Sequence, residues 1–101
     1  MKSISIDDYY LIKDNSDVFS IDVRTNNEYK ILKNFPWAVN IELNELFANY
    51  EKYLPNKNQT IITICNAGNR SSEAAMFLQE HGYKNAFVLN SGIYGFYRKY
   101  E

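Results

Sequence analysis

Four β-branched residues in succession, Ile61-Ile62-Thr63-Ile64, run straight into Cys65, the only cysteine of the chain. Such a run, apolar without alternation and bounded by a turn, is a buried strand. A turn and a helix follow at once. Gly68 permits a sharp reversal, and Ser71 or Ser72 ahead of Glu73-Ala74-Ala75-Met76-Phe77-Leu78 supplies a helix start. The stretch from Ile61 to Ala75 therefore dictates strand, tight turn and helix in sequence, with a thiol at the junction. Unpaired amides of the turn and of the first helical residues carry partial positive charge, which favours a thiolate or an oxyanion there. Cys65 is on this ground an acidic, nucleophilic thiol; the plain alternative is a small buried hydrophobe, a common fate of free cysteines.

The rest of the chain repeats the alternation of strand and helix. Ser3 to Ser5 add a short edge strand, and Ser5 heads Ile6 to Lys13, a helix of about two turns with Asp8 three positions after its cap. Asp14 to Asp17 form a turn cluster, and Val18 to Val23 a largely buried strand that breaks at Arg24. Thr25 and Glu28 have the spacing of a capping box that opens another short helix. Lys30 to Trp37 has no clean period, and Pro36 disfavours helix at Phe35, so this is an irregular link. Ala38 to Ile41 is a third strand. From Glu42 onward, Leu43, Leu46, Phe47, Tyr50 and Leu54 share one helical stripe that ends at Pro55, and Asn56 to Gln59 turn the chain into the central strand. The helix from Ser71 to His81 stops at Gly82; Ala86 to Leu89 is a further strand, and Asn90-Ser91-Gly92 turn into an aromatic helix from Ile93 to Tyr100. This order predicts an α/β fold: a five-stranded, mostly parallel sheet with helices on both faces, in three layers, joined by right-handed crossovers. At 101 residues, 1–101 forms a single domain.

Several function classes recede on composition. A net charge of -1 gives no electrostatic reason to expect nucleic acid or an anionic membrane. No apolar run approaches the roughly twenty residues that cross a bilayer. Met1 to Asn15 alternates polar and apolar residues without the hydrophobic stretch of a leader, so the expected address is cytoplasmic. Cys65 and His81 lack metal-ligand spacing, and neither a metal nor a cofactor is expected. His81, at a helix end before Gly82, is read as a capping residue whose cationic form suits the dipole.

Chemistry concentrates at one end of the predicted sheet. Asp22 and Arg24 close their strand where Cys65 closes its own, and ligands of open parallel sheets gather beyond those carboxyl ends.

Five ordered segments resemble the rhodanese (sulfurtransferase) homology domain in its single-domain form. Ile21-Asp22-Val23-Arg24 with Glu28-Tyr29 is similar to that family's opening motif, and Ala38-Val39-Asn40-Ile41 with Leu43 to its second. Cys65-Asn66-Ala67-Gly68-Asn69-Arg70-Ser71, with Ala74-Ala75 and Leu78, is similar to its active-site loop and helix. Gly82-Tyr83, Asn85-Ala86 and Val88-Leu89 resemble the closing turn and strand, and Ser91-Gly92 the final glycine turn. The chain departs from the pattern at Lys33-Asn34-Phe35-Pro36-Trp37, where the family commonly has Gly-His-Ile-Pro-Gly, and at a late tryptophan replaced by Phe96 or Tyr97.

The resemblance implies a rhodanese-like three-layer fold and a double displacement. The Cys65 thiolate takes the outer sulfur of thiosulfate or a persulfide, and passes it to cyanide or to a thiol, such as a thioredoxin-like protein or a small thiol. Asn66, Ala67, Gly68, Asn69, Arg70 and Ser71 would cradle the anion, with Arg70 either facing the donor or bracing the turn. Asp22, Arg24 and Glu28 would fix the loop by pairing with it, or alternatively touch substrate. Phe35, Pro36 and Trp37 would rim the pocket, although Trp37 serves equally well as a core plug. The runner-up activity is a phosphatase or arsenate reductase, whose pattern sets Arg six positions after Cys; here that place holds Ser71, and Arg70 comes one residue early. A non-catalytic interaction module of the same fold is the third reading, against which the presence of Cys65 counts.

Overall fold

A computed structural model describes residues 2–101; Met1, included in the single-domain and no-leader readings, lies outside the described residues. The element order is β1 (Ser3–Ile4), α1 (Ile6–Ile12), β2 (Val18–Asp22), α2 (Asn26–Ile31), β3 (Val39–Asn40), α3 (Leu43–Tyr53), β4 (Thr60–Ile64), α4 (Asn69–Glu80), β5 (Ala86–Leu89) and α5 (Gly92–Tyr100). The strands lie in the order β1-β5-β4-β2-β3, and every pairing is parallel. The sheet is thus wholly rather than mostly parallel.

β4 is central, and its side chains explain its unbroken apolar run. Ile61 joins a core cluster with Leu46 of α3, Leu54 just after that helix, and Ala74 and Leu78 of α4. Ile62 and Ile64 point the other way, to a cluster with Tyr9 of α1 and Ile93 and Phe96 of α5. Alternate residues feed opposite faces, and both faces are covered by helices.

Local chemistry places the element boundaries. Ser5 caps α1 by accepting from the Asp8 amide at 3.1 Å, and Thr25 with Glu28 completes a capping box on α2. Helix α2 runs to Ile31, into the segment expected to be irregular, and buries no residue. In α3 the backbone departs from helical geometry at Asn49 (φ -135°), a kink that its apolar stripe gives no sign of. Two starts differ from expectation in ways that matter for the site. Helix α4 begins at Asn69 rather than at Ser71 or Ser72, because Gly68 (φ 120°) makes the turn and no side-chain cap is used. Helix α5 begins at Gly92, after Ser91 adopts a left-handed backbone (φ 66°).

Candidate active site

Sheet register brings two strand ends together. Asp22 is level with Ile64, and the Val23 amide donates to the Ile64 carbonyl at 2.9 Å, so Asp22 and Arg24 flank Cys65. The Cys65 side chain is almost entirely buried, at 2 % exposure, and forms no disulfide. The Gly68 amide donates to its Sγ at 3.1 Å, and the Ser71 hydroxyl lies 3.2 Å away. Burial pushes the thiol's pKa up. The Ser71 hydroxyl and the amides of Ser71, Gly68 and Ala67 outweigh that, and the net shift is downward.

Ser71, a candidate cap in the sequence, is instead a buried residue in the first turn of α4 whose hydroxyl faces the sulfur. The Thr63 hydroxyl donates to the Ser71 carbonyl at 2.7 Å and so fixes that turn against β4. Ala67 and Asn69 are exposed at the mouth of the loop.

The charged candidates form one continuous chain. Arg24 is fully buried and grips Asp22, with Nη2 to Oδ2 at 2.8 Å and Nε to Oδ1 at 3.0 Å. Its Nη1 donates to Asn66 Oδ1 at 2.9 Å, and Asn66 Nδ2 in turn reaches Glu28 Oε2 at 3.4 Å. Glu28 accepts two hydrogen bonds from Arg70, at 2.6 and 3.0 Å, and further ones from the Thr25 amide and hydroxyl, both at 3.1 Å. The Arg70 contact foremost, then the Thr25 amide, drops the Glu28 pKa from the ordinary 4.5 to about 2. Glu28 likewise raises the Arg70 pKa more than any other group, and the Cys65 and Asp22 charges act in the same direction.

Other residues around the loop were given no site role by sequence. Asn40 Nδ2 donates to the carbonyls of Asp22 and Arg24, at 3.0 and 2.9 Å, and clamps the end of β2. Glu42 accepts the Asn26 amide at 2.9 Å and lines, with Val23, Thr25, Leu43, Asn44 and Arg70, a cleft of about 230 Å³. The start of α5 docks on the loop itself: Ile93 donates to the Cys65 carbonyl at 3.0 Å and Tyr94 to that of Asn66 at 3.2 Å. Only glycine fits at 92, where a Cβ would stand 2.4 Å from the Asn66 oxygen and 2.5 Å from that of Cys65. The signal available was Ser91-Gly92, which alone indicates only a turn.

Phe35, Pro36 and Trp37 lie elsewhere. Phe35 is fully buried and stacks on Trp37 at 4.7 Å in the α1/α5 cluster, Pro36 is exposed, and none of them lines the cleft beside Arg70. Trp37 Nε1 donates to Tyr9 Oη at 2.8 Å, which ties it to that core. His81 caps the far end of α4, twelve residues long, so about 18 Å of helix separates it from the loop. Its Nδ1 sits 2.7 Å from the Phe77 carbonyl.

Comparison with known proteins supplies the family. Residues 5–99 match the family model of the rhodanese-like domain. A thiosulfate sulfurtransferase of Escherichia coli, PspE, is 38 % identical over 72 residues, which cover 71 % of this chain and 66 % of that protein. A tRNA uridine(34) hydroxylase of Cytophaga hutchinsonii is 30 % identical over 90 residues, covering 85 % of this chain but 28 % of its own, so the chain spans under a third of such relatives. The crystal structure of a rhodanese-related protein from Thermoplasma volcanium superposes with a TM-score of 0.84 at 28 % identity, over 98 % of this chain and 93 % of that one. With the cysteine loop, the parallel sheet and this near-complete match in hand, the chain belongs to the rhodanese-like domain family.

Proposed function

We propose that the protein is a sulfurtransferase that carries a sulfane sulfur on Cys65. The observation that carries this reading is the cradle around the thiol: the Gly68 amide at 3.1 Å and the Ser71 hydroxyl at 3.2 Å converge on one sulfur atom whose pKa is depressed. A thiolate so held needs no general base. It attacks the outer sulfur of the donor, the donor's sulfur–sulfur bond breaks, and the leaving group departs with the electron pair. The persulfide is then discharged when an acceptor thiolate or cyanide takes its outer sulfur and regenerates Cys65. Asp22, Arg24, Asn66 and Glu28 hold the loop in shape, and Arg70 braces it from α4 while it borders the cleft.

A small thiol or a thioredoxin-like protein is the acceptor we favour over cyanide, and a reducing, cytoplasmic setting suits an unpaired cysteine of this reactivity. Among the described residues no helix is long and apolar enough to cross a membrane.

The phosphatase or arsenate reductase reading ranks below this one. Those reactions place an arginine against the oxyanion, whereas Arg70 is turned into a double hydrogen bond with Glu28. To test the proposal, purified protein is incubated with a persulfide or thiosulfate and Cys65 is examined by intact mass. A gain of one sulfur atom that is absent in Cys65→Ser and is discharged by added thiol supports it. Hydrolysis of an aryl phosphate without sulfur gain would replace it with the runner-up.

A further inference from the structure

One residue deep in the central strand is polar where packing alone asks for an aliphatic side chain. Thr63 is fully buried and shares the Cys65 face of β4, two positions before the thiol. A hydroxyl taken out of water needs a partner, and a hydrocarbon of the same shape would not. The partner is the Ser71 carbonyl in the first turn of α4, at 2.7 Å; the Phe87 carbonyl of β5 competes for the same single proton at 3.4 Å. Ser71 lies inside α4, whose own ladder supplies that carbonyl with a donor, so the helix does not need Thr63 to satisfy it. What the bond adds is a fixed point. Helix α4 starts at Gly68 without a side-chain cap, and this contact pins its first turn to the strand below.

The pinned residue is the one that serves the sulfur twice. Burial pushes the Cys65 thiol up, and the hydroxyl of Ser71, 3.2 Å away, and the Ser71 amide lead the contacts that bring it down. We infer that Thr63 is a positioning residue for Cys65: its hydroxyl holds the Ser71 carbonyl, and with it the hydroxyl and amide of that residue, in place around the sulfur. Hydrogen bonds weaken steeply as their angles open, so a first turn free to rock against β4 would hold a thiolate less well. The charged groups gathered at the loop are Asp22 and Arg24 from the end of β2, Glu28 from α2 and Arg70 from α4. They bond to one another or to Asn66, and among the described residues none bonds to Thr63 or Ser71. Helix α5 contributes the amides of Ile93 and Tyr94. A change at Thr63 therefore acts on the sulfur through Ser71 and leaves the charges of the loop as they are. The role concerns the thiolate itself, apart from what the thiolate attacks.

The test compares Thr63→Val and Thr63→Ser in the whole chain by three readouts: the pH profile of Cys65 alkylation with iodoacetamide, the denaturation midpoint, and sulfur gain on Cys65 from thiosulfate or from the hydropersulfide of 2-mercaptoethanol, followed by mass. Thr63→Val keeps the shape and lacks the hydroxyl. Its alkylation midpoint moves upward, and below that midpoint the rate falls by roughly two- to fivefold. Thr63→Ser keeps the hydroxyl and gives up a buried methyl, so it loses stability while its alkylation midpoint stays with the wild type. In a Ser71→Ala background, Thr63→Val moves the midpoint by less than it does alone, because the hydroxyl it would misplace is gone. An unmoved midpoint in folded Thr63→Val overturns the positioning role and leaves the bond a purely structural one. An equal rise in Thr63→Val and Thr63→Ser overturns it too, since packing and not the hydroxyl would then be the cause. If no chain, wild type included, gains sulfur from either donor while the midpoints still separate Thr63→Val from Thr63→Ser, the sulfurtransferase reading falls and the positioning of the thiolate stands.

Discussion

Arg24 shows how much of this site is held by partners rather than by position alone. Its guanidinium is wholly buried and bonded to Asp22 and Asn66, so removal of the side chain strands a buried carboxylate. Arg24→Ala should cost about 3–5 kcal/mol in chemical denaturation and slow sulfur loading as well; loss of donor affinity with unchanged stability would mean that Arg24 touches substrate instead. Ser71 acts on the sulfur directly. Ser71→Ala removes the foremost contact that lowers the Cys65 pKa, so the pH midpoint for alkylation by iodoacetamide should move upward, and an unmoved midpoint would assign the lowering to backbone amides alone. Glu28 gives a stability signature. Its carboxylate is ionised down to about pH 2 in the folded chain against an ordinary 4.5, so its contribution is complete above pH 4.5 and fades as pH falls toward 2. Denaturation midpoints should therefore decline through that window in the wild type and less steeply in Glu28→Gln.

Helices α4 and α5 meet the Cys65 loop from opposite faces of the sheet, and the two contacts were legible to different degrees. For α4, the β-branched run, Gly68 and the apolar residues from Ala74 onward are local signals, so strand, turn and helix could be read in order. Its first residue could not. The sequence offers two serines as caps, but Gly68 turns the chain without a side chain and frees the Ser71 hydroxyl for Cys65. The contact from α5 is invisible locally, because Gly92 serves a carbonyl twenty-six positions away in Asn66, which only the parallel order of β4 and β5 brings near. Gly92→Ala places a methyl group against two backbone oxygens and should destabilise the fold by about 1–3 kcal/mol while lowering sulfur loading more than Ser91→Ala does. The aromatic segment at Phe35 and Trp37 was open between core and rim for a related reason. Proline marked it as irregular, but only the stacking partners from α1 and α5 decide which way its rings face.

The molecule as a whole is a sheet whose first and last strands are neighbours. β1 pairs with β5, and α1 lies against α5, with Tyr10 stacked on Tyr100 at 4.1 Å and Lys99 bonded to Asp7. Its two cores are independent enough to be probed from opposite sides. Leu78→Ala on the α3/α4 side and Ile62→Ala on the α1/α5 side should each cost about 2–5 kcal/mol and, lacking shared neighbours in either cluster, combine additively in the double variant. The docking of α5 on the Cys65 and Asn66 carbonyls has a consequence for the chain during its synthesis. A ribosome that has passed Cys65 but not Tyr94 has made the loop before the two amides that hold its carbonyls, and β1 still waits for the strand it will join. Closure of the loop therefore comes late, when translation has delivered β5 and the helix that seals the far side of the sheet.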